Sequence, residues 1–335
     1  MPSSRDLDRL LPLFAGAFGP PGRESGVRDA IGRALRGTGK RETDAMGNLH
    51  VHVPGRGPKL LLAAHMDAPG LIVTRVEASG LARVSLLGGP GAPDLIGASV
   101  SFEDGTPALV GCDRPKNASE IDADALALHT GLSAKDARKR LAVGSIAALD
   151  GRLTRLGSQW CGATLDNRAG CAAVAAAVLT RRLAARYDLH VVFTVQSDLG
   201  ARGAATGAFG IAPDLAVVVD VAAAGEGPGA ITPGAGPAVA LKELGYLAHP
   251  AAFDWVRRAA RATRVKLQWL IRDEAGSDAR TIRASRGGVP TAVIAIPARR
   301  SGGPRVLVHE RDLTQTVALL SRLLRTPETG LRGVR

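Results

Sequence analysis

Cysteine is scarce: Cys112, Cys161 and Cys171 are an odd set of three in 335 residues, without the close spacing of a zinc knuckle. That argues against a disulfide framework or a thiolate metal site. Reduced thiols, as in a cytoplasmic protein, are the simplest reading. Aromatic residues make up only 3% of the chain, and lysine is also rare, so that arginine dominates the 43 basic side chains. These are spread along the sequence rather than blocked into a tail. The net charge of +12 attracts acidic surfaces without specificity. No aromatic-studded basic motif turns that attraction into recognition, so no specific nucleic-acid partner is expected. No apolar run approaches the roughly 18 residues needed to span a bilayer. The opening Met1-Pro2-Ser3-Ser4-Arg5-Asp6-Leu7 lacks a basic segment followed by an apolar one. The expectation is a soluble, unexported, cytoplasmic protein with no membrane partner.

What is present is apolar material for a sizeable core, 45% of residues. Helical spacing covers 6–17 and 25–37, separated by the turn Gly19-Pro20-Pro21-Gly22. Residues 49–53 alternate, which with the following Pro-Gly cluster suggests a hairpin ahead of a central strand at 60–64. That strand and the runs 188–195, 215–220 and 291–296 are continuous apolar stretches of the kind buried on both faces. Helical stretches at 169–185, 250–264 and 312–324 flank them, which indicates an α/β sandwich. Residues 72–160 differ: short alternating segments at 71–76, 82–87, 98–102 and 108–112 are broken by Gly and Pro clusters, as in a small β-rich insertion. Within it Ser133 opens a solvated helix over 133–140. The expected division is an α/β domain from 1–71 and 161–335, and an inserted β domain over 72–160 acting in oligomerisation or as a lid.

Chemistry-bearing residues follow the strands, where the loops of open α/β sheets converge on one crevice. His65 ends one run, and Asp67 stands close enough to orient its imidazole through the second nitrogen. Asp166 precedes a long Ala-rich helix; it could cap that helix or place one oxygen on each of two metal ions. Asp220 closes a strand of valines, where an acid needs a partner or a metal. Asp198 also follows a strand. One imidazole with hard oxygen ligands suits Zn, Mn or Co.

In order along the chain stand Asp44-Ala45-Met46-Gly47-Asn48-Leu49, His65-Met66-Asp67, Leu165-Asp166-Asn167-Arg168-Ala169-Gly170, Thr194-Val195-Gln196 and Gly200-Ala201-Arg202-Gly203-Ala204. Asp220, Gly276-Ser277-Asp278-Ala279, Gly287-Gly288-Val289-Pro290-Thr291 and Ile296-Pro297 come later. Over almost its whole length the chain resembles the glutamyl-aminopeptidase and tetrahedral-aminopeptidase family of cocatalytic metallopeptidases, some members of which are labelled cellulases. The resemblance implies a phosphorylase-like three-layer α/β domain with an inserted β-rich domain, and a homo-oligomer. It also implies one metal ion on His65, Asp166 and Asp220, and a second on Asp166, Asp198 and a late histidine.

Departures from the family pattern fall on one half of that site. Gly302 stands where the late histidine should be, Val306 where a Glu is usual, Ser197 where the general base should be, and Asp198 replaces a longer Glu. A hydroxyl has no accessible basic form near neutral pH. The expectation is therefore one divalent ion rather than two, zinc ahead of cobalt or manganese, in a weakened aminopeptidase acting on short peptides or another amine-bearing molecule. The alternative is a silent homologue kept for binding or assembly. Glu226, Glu274 and His309 are the residues that could compensate, each with an ordinary surface role as the plainer reading, and His249 is not assigned to metal.

Overall fold

The computed structural model describes residues 4–89, 91–112, 121–179, 186–225, 230–299 and 304–326. The continuous apolar runs form four neighbouring parallel strands, Asp188–Thr194, Lys59–His65, Leu215–Ala223 and Thr291–Arg299, in that spatial order. Their side chains alternate between two cores. Leu60, Leu62 and Ala64 join Val191, Val217 and Ile294 on one face, whereas Leu61 and Ala63 join Val192, Val218 and Val293 on the other. Period-two alternation with both faces buried is why these strands read as unbroken apolar sequence. Burying each such Leu or Val contributes roughly 1.5–3 kcal/mol.

Helices cover both faces and make three layers. Ser4–Ala15, Ser25–Ala34, Leu165–Leu179, Pro250–Thr263 and Glu310–Leu323 pack on the first face, and Arg202–Ile211 and Ala279–Ile282 on the second. Leu165–Leu179 is buried almost all round, its alanines letting it lie between the sheet and helices Ser4–Ala15 and Glu310–Leu323. Antiparallel strands extend the sheet at both ends. Leu49–Val53 pairs with Asp188–Thr194 and carries Lys40–Thr43 outside it. At the other end Val306–His309, Gln159–Gly162 and Thr154–Leu156 follow Thr291–Arg299, and Ala238–Leu244 branches off the same strand. Among the described residues the sheet has twelve strands, and no helix there is long and apolar enough to cross a membrane.

Between Lys59–His65 and the return to the sheet lies a closed antiparallel barrel. Its strands are ordered Gly70–Val76, Ala82–Leu87, Leu126–His129, Pro107–Cys112, Ser99–Phe102 and Ile146–Leu149, around a core that includes Leu71, Val84, Phe102, Val110 and Leu128. Closure leaves no unpaired edge. The barrel ends at Leu149, and Thr154–Leu156 already pairs in the large sheet, so the chain rejoins the α/β body ahead of residue 161. The reason is that Gln159–Gly162 finds an edge partner in Val306–His309. Helix Arg202–Ile211 has no counterpart in the sequence reading. Its Gly- and Ala-rich sequence carries little apolar periodicity, and Gly203 is there for contact: a Cβ would come 2.2 Å from Asn48 Oδ1.

Candidate metal centre

His65 is the last residue of its strand, in register with Thr194 on the neighbouring one, and Asp220 lies near the end of the next strand across. The His65 imidazole is buried between acids on two sides. Its Nδ1 is 3.2 Å from the Asp67 carbonyl oxygen and 3.4 Å from Asp67 Oδ1. Its Nε2 faces Asp220 Oδ1 at 3.4 Å and Asp166 Oδ1 at 3.9 Å. Burial by itself would lower the imidazole's pKa, but Asp220 and Asp67 together reverse this and hold it well above the usual value. For Asp67 burial acts upward, and His65 with two backbone amides outweighs it, leaving the carboxyl lowered.

Asp166 does not act as the helix cap that local rules allow. Asp166 and Asn167 have non-helical backbone, and the Asn167 carboxamide accepts from Gly170 N at 3.1 Å while donating to Val219 O at 2.9 Å. The cap therefore falls to Asn167, and the Asp166 carboxylate faces His65. Next in sequence, buried Arg168 donates to the carbonyls of Phe14, Ala17 and Gly19; desolvation lowers its pKa to about 10. Behind His65, the Cys171 thiol donates to the His65 carbonyl at 3.1 Å, and burial pushes it up to about 12, which makes it inert at neutral pH.

Asp67 has a second task. Its two carboxylate oxygens accept from Ser197 N and Asp198 N, each at 3.0 Å, fixing the loop that leaves Asp188–Thr194. The loop starts at Gln196, with φ +53°, whose amide is held by Glu24 at 3.1 Å. From the other side Asn48 accepts from Val195 N and donates to Gly203 O. Asp198 keeps solvent contact at the rim of the crevice, yet its carboxyl is raised, first by desolvation and then by Asp67, Asp166 and Asp220. Gly88, at φ +70° just after barrel strand Ala82–Leu87, lies against it; a Cβ there would come 2.2 Å from Asp198 Cβ, so the barrel packs against the loop that carries Asp198 and only glycine fits.

Sequence reasoning assigned no role to Asp278. Ser197 Oγ donates to Asp278 Oδ1 at 2.7 Å and Thr194 Oγ1 donates to Oδ2 at 2.5 Å. Burial raises the Asp278 pKa, and nearby His65 and the two hydroxyls partly offset it. Only the motif Gly276-Ser277-Asp278-Ala279 marked the residue, and a contact 81 positions away from Ser197 leaves no local trace. Of the compensating candidates, His309 is committed elsewhere: its Nδ1 accepts from Arg311 N as a helix cap and its Nε2 meets Ser158 Oγ at 2.9 Å. Glu274 is exposed on strand Gln268–Ala275, and Val306 is buried in the sheet. Glu226 and Gly302 lie outside the described residues.

One ligand atom from each of His65, Asp166 and Asp220 lies within 4.8 Å of the others. With Asp67 and Asp198 beside them, carboxylates outnumber the single imidazole, and the excess negative charge with mixed N and O donors fits a divalent cation.

The M42 glutamyl aminopeptidase family model matches residues 47–319. A putative aminopeptidase of Acetivibrio thermocellus is 32% identical over 322 residues, covering 94% of this chain and 97% of its own. The structure of aminopeptidase APDkam598 from the archaeon Desulfurococcus kamchatkensis superposes with a TM-score of 0.90 at 27% identity, covering 97% of this chain and 95% of its own. The Pyrococcus horikoshii TET1 peptidase, which can assemble into a tetrahedron or a large octahedral shell, has the same fold, with a TM-score of 0.86 at 23% identity over 95% of this chain and 99% of its own. The ordered motifs, the three-layer body with its barrel, the acid-ringed histidine and the match over most of the chain agree: this protein belongs to the M42 glutamyl aminopeptidase family.

Proposed function

We propose that the protein is a metal-dependent aminopeptidase-like hydrolase acting on the N-termini of short peptides, with turnover weakened by the hydroxyl at position 197. The observation that carries this reading is the convergence of His65, Asp166 and Asp220 within ligand distance of one another. They would hold one divalent ion, zinc first and cobalt or manganese next, with Asp67 orienting His65 from its other nitrogen. When bound, the ion would act as a Lewis acid on the scissile carbonyl. Asp198, which the family pattern assigns to a second ion, would with a single ion bound instead receive the positive amine of a peptide N-terminus. Asp67 keeps Ser197 and Asp198 in position through their amides.

The weakening follows from position 197. In the family pattern a carboxylate there takes a proton, and loss of a general base costs about 10²- to 10⁴-fold, roughly 3–5 kcal/mol of barrier. The Ser197 hydroxyl donates a hydrogen bond to Asp278 instead. That contact also favours a second reading, a catalytically silent homologue that binds an amine-bearing ligand or serves in assembly. Because the Pyrococcus horikoshii TET1 peptidase can assemble into a tetrahedron or a large octahedral shell, we extend the proposal to a homo-oligomer in which the inserted barrel is a distinct unit contributing to assembly or covering the crevice. The unpaired cysteines support a cytoplasmic setting.

The test is metal content per chain after reconstitution with Zn, Co or Mn, together with hydrolysis of a panel of aminoacyl substrates by the native chain, His65→Ala and Ser197→Glu. Slow metal-dependent turnover, lost in His65→Ala and raised in Ser197→Glu, is expected. Metal bound without turnover at any enzyme concentration would leave the silent homologue as the function.

A further inference from the structure

A second group of ligand-bearing side chains lies at the far end of the same sheet. On strands Leu49–Val53 and Asp188–Thr194, His52 and His190 are direct cross-strand partners, so both imidazoles project from one face. Asp188, two residues before His190, projects from that face as well. Asp188 Oδ1 is 2.6 Å from His52 Nε2, and Oδ2 is 3.2 Å from His190 Nε2. The two rings stack with centroids 4.5 Å apart and planes at 17°. His52 and Asp188 are partly open to solvent, with side-chain exposures of 30% and 24%, so an ion has a route in.

Hydrogen-bond direction gives this cluster its meaning. His50 Nδ1 is 3.1 Å from Glu42 Oε1, and His50 Nε2 is 2.9 Å from His190 Nδ1. The Glu42 carboxylate can only accept, so His50 Nδ1 carries the proton and donates to it. In a neutral His50, Nε2 is then an acceptor, and His190 Nδ1–H donates to it. A neutral His190 is thereby left with a bare Nε2 lone pair facing the Asp188 carboxylate, acceptor against acceptor. A cation between them removes that conflict. The outward chain from His190 to His50 to Glu42 is the outer support that metal-ligating histidines use to fix ring and tautomer.

We propose that His52 Nε2, His190 Nε2 and an Asp188 carboxylate oxygen bind a divalent transition ion of the zinc type, clipping the edge hairpin 40–53 to the central strand Asp188–Thr194. Two imidazoles with one carboxylate is a donor set that zinc accepts with solvent in the fourth position, and one that magnesium and calcium, which prefer all-oxygen shells, do not. The site is separate from that of His65. His190 stands four residues from Thr194, the register partner of His65, which is roughly 13 Å along a strand. The inference does not depend on peptidase activity.

The experiment uses untagged, metal-stripped protein carrying Asp166→Asn and Asp220→Asn, which disables the His65 group, and titrates Zn²⁺ by calorimetry. One Zn²⁺ per chain is expected, abolished by adding His52→Gln and His190→Gln. Glu42→Ala, a change at a half-exposed position, is expected to weaken Zn²⁺ binding about 10- to 100-fold by removing the outer support. Pulsed electron paramagnetic resonance with Cu²⁺ as probe adds a readout independent of folding in the variants. Two imidazole nitrogens on the ion are expected, against one for the His65 group. No Zn²⁺ bound in the Asp166→Asn, Asp220→Asn protein, or Zn²⁺ affinity unchanged by His52→Gln with His190→Gln, or by Glu42→Ala, would overturn the proposal.

Discussion

The two histidine–carboxylate groups sit at opposite ends of the central strands and use the same residue types in opposite proportion. At the carboxyl ends one imidazole is surrounded by acids, with Asp67, Asp166 and Asp220 facing His65. At the other end imidazoles outnumber the acid: His50, His52 and His190 gather near Asp188. The ratio sets the direction in which each imidazole's pKa moves. The pKa of His65 is raised because its carboxylates outweigh burial. His190 is lowered, by burial first and then by repulsion from His50 and His52, although Asp188 opposes this. In the first group a metal would compete with a proton that the carboxylates favour, whereas in the second it would fill a gap between two acceptors. The first group is therefore suited to chemistry on a charged substrate end, and the second to holding strands together.

The largest expected effect separates the two by activity. Asp220→Asn removes a carboxylate from the only imidazole of its group and is expected to lower kcat/KM about 10²-fold or more, since Lewis-acid stabilisation is worth several kcal/mol. His52→Gln with His190→Gln is expected to leave kcat/KM unchanged on the same aminoacyl substrates. Equal losses in both would dissolve the distinction between a working and a structural site.

Next comes the polar pair beside the first group. Ser197→Ala removes one of the two hydroxyls donated to the buried Asp278 carboxylate and is expected to cost about 1–3 kcal/mol, read from urea unfolding. No equivalent penalty is expected at His52, whose partner Asp188 has water available. If Ser197→Ala is neutral in stability, the contact with Asp278 is incidental and position 197 is open for a substrate or base.

Legibility in the sequence follows the same division. The parallel strands were readable because burial on both faces leaves continuous apolar runs, and His65, Asp198 and Asp220 because acids and a histidine at or just after the ends of such runs are conspicuous. Asp166 shows the limit: its cap-like position before an Ala-rich stretch allowed two readings, and the choice came from Asn167, whose carboxamide takes the cap. The contacts of Asp278 and of the second histidine group were not readable. The alternation at 49–53 placed His50 and His52 on one face, but their neighbours His190 and Asp188 arrive through strand register between segments more than 130 residues apart. The hydroxyl-to-carboxylate contact between the loop at Ser197 and the helix start at Asp278 is similarly silent in a linear text.

Acidity offers a finer separation. The folded pKa of His65 is raised, so its contribution to stability in metal-free protein is fully present below the unfolded value of about 6.5 and is lost as pH rises through the folded value. His190 is lowered, so its contribution is present above about 6.5 and is lost as pH falls through its folded value. Each proton gives a slope of at most about 1.4 kcal/mol per pH unit. Unfolding free energies across pH 5 to 9 for metal-free His65→Gln and His190→Gln should therefore diverge from the native chain in opposite directions; parallel curves would mean the two groups share one electrostatic character.

The smallest effect is the most discriminating for the second group. Glu42 is half exposed and paired with Lys40 at the surface, so in metal-free protein Glu42→Ala is expected to change stability by less than about 0.5 kcal/mol. With Zn²⁺ at 100 times the native dissociation constant, binding stabilises the native chain by about 2.7 kcal/mol. A variant whose affinity is ten to a hundred times weaker retains only about 0.4–1.4 kcal/mol of that at the same zinc concentration. The same substitution is thus nearly invisible without metal and measurable with it. That pattern would arise only if Glu42 acts through the imidazoles that hold the ion. A loss of equal size with and without zinc would instead make Glu42 an ordinary strand-edge residue, and would remove the electrostatic contrast between the two ends of the sheet.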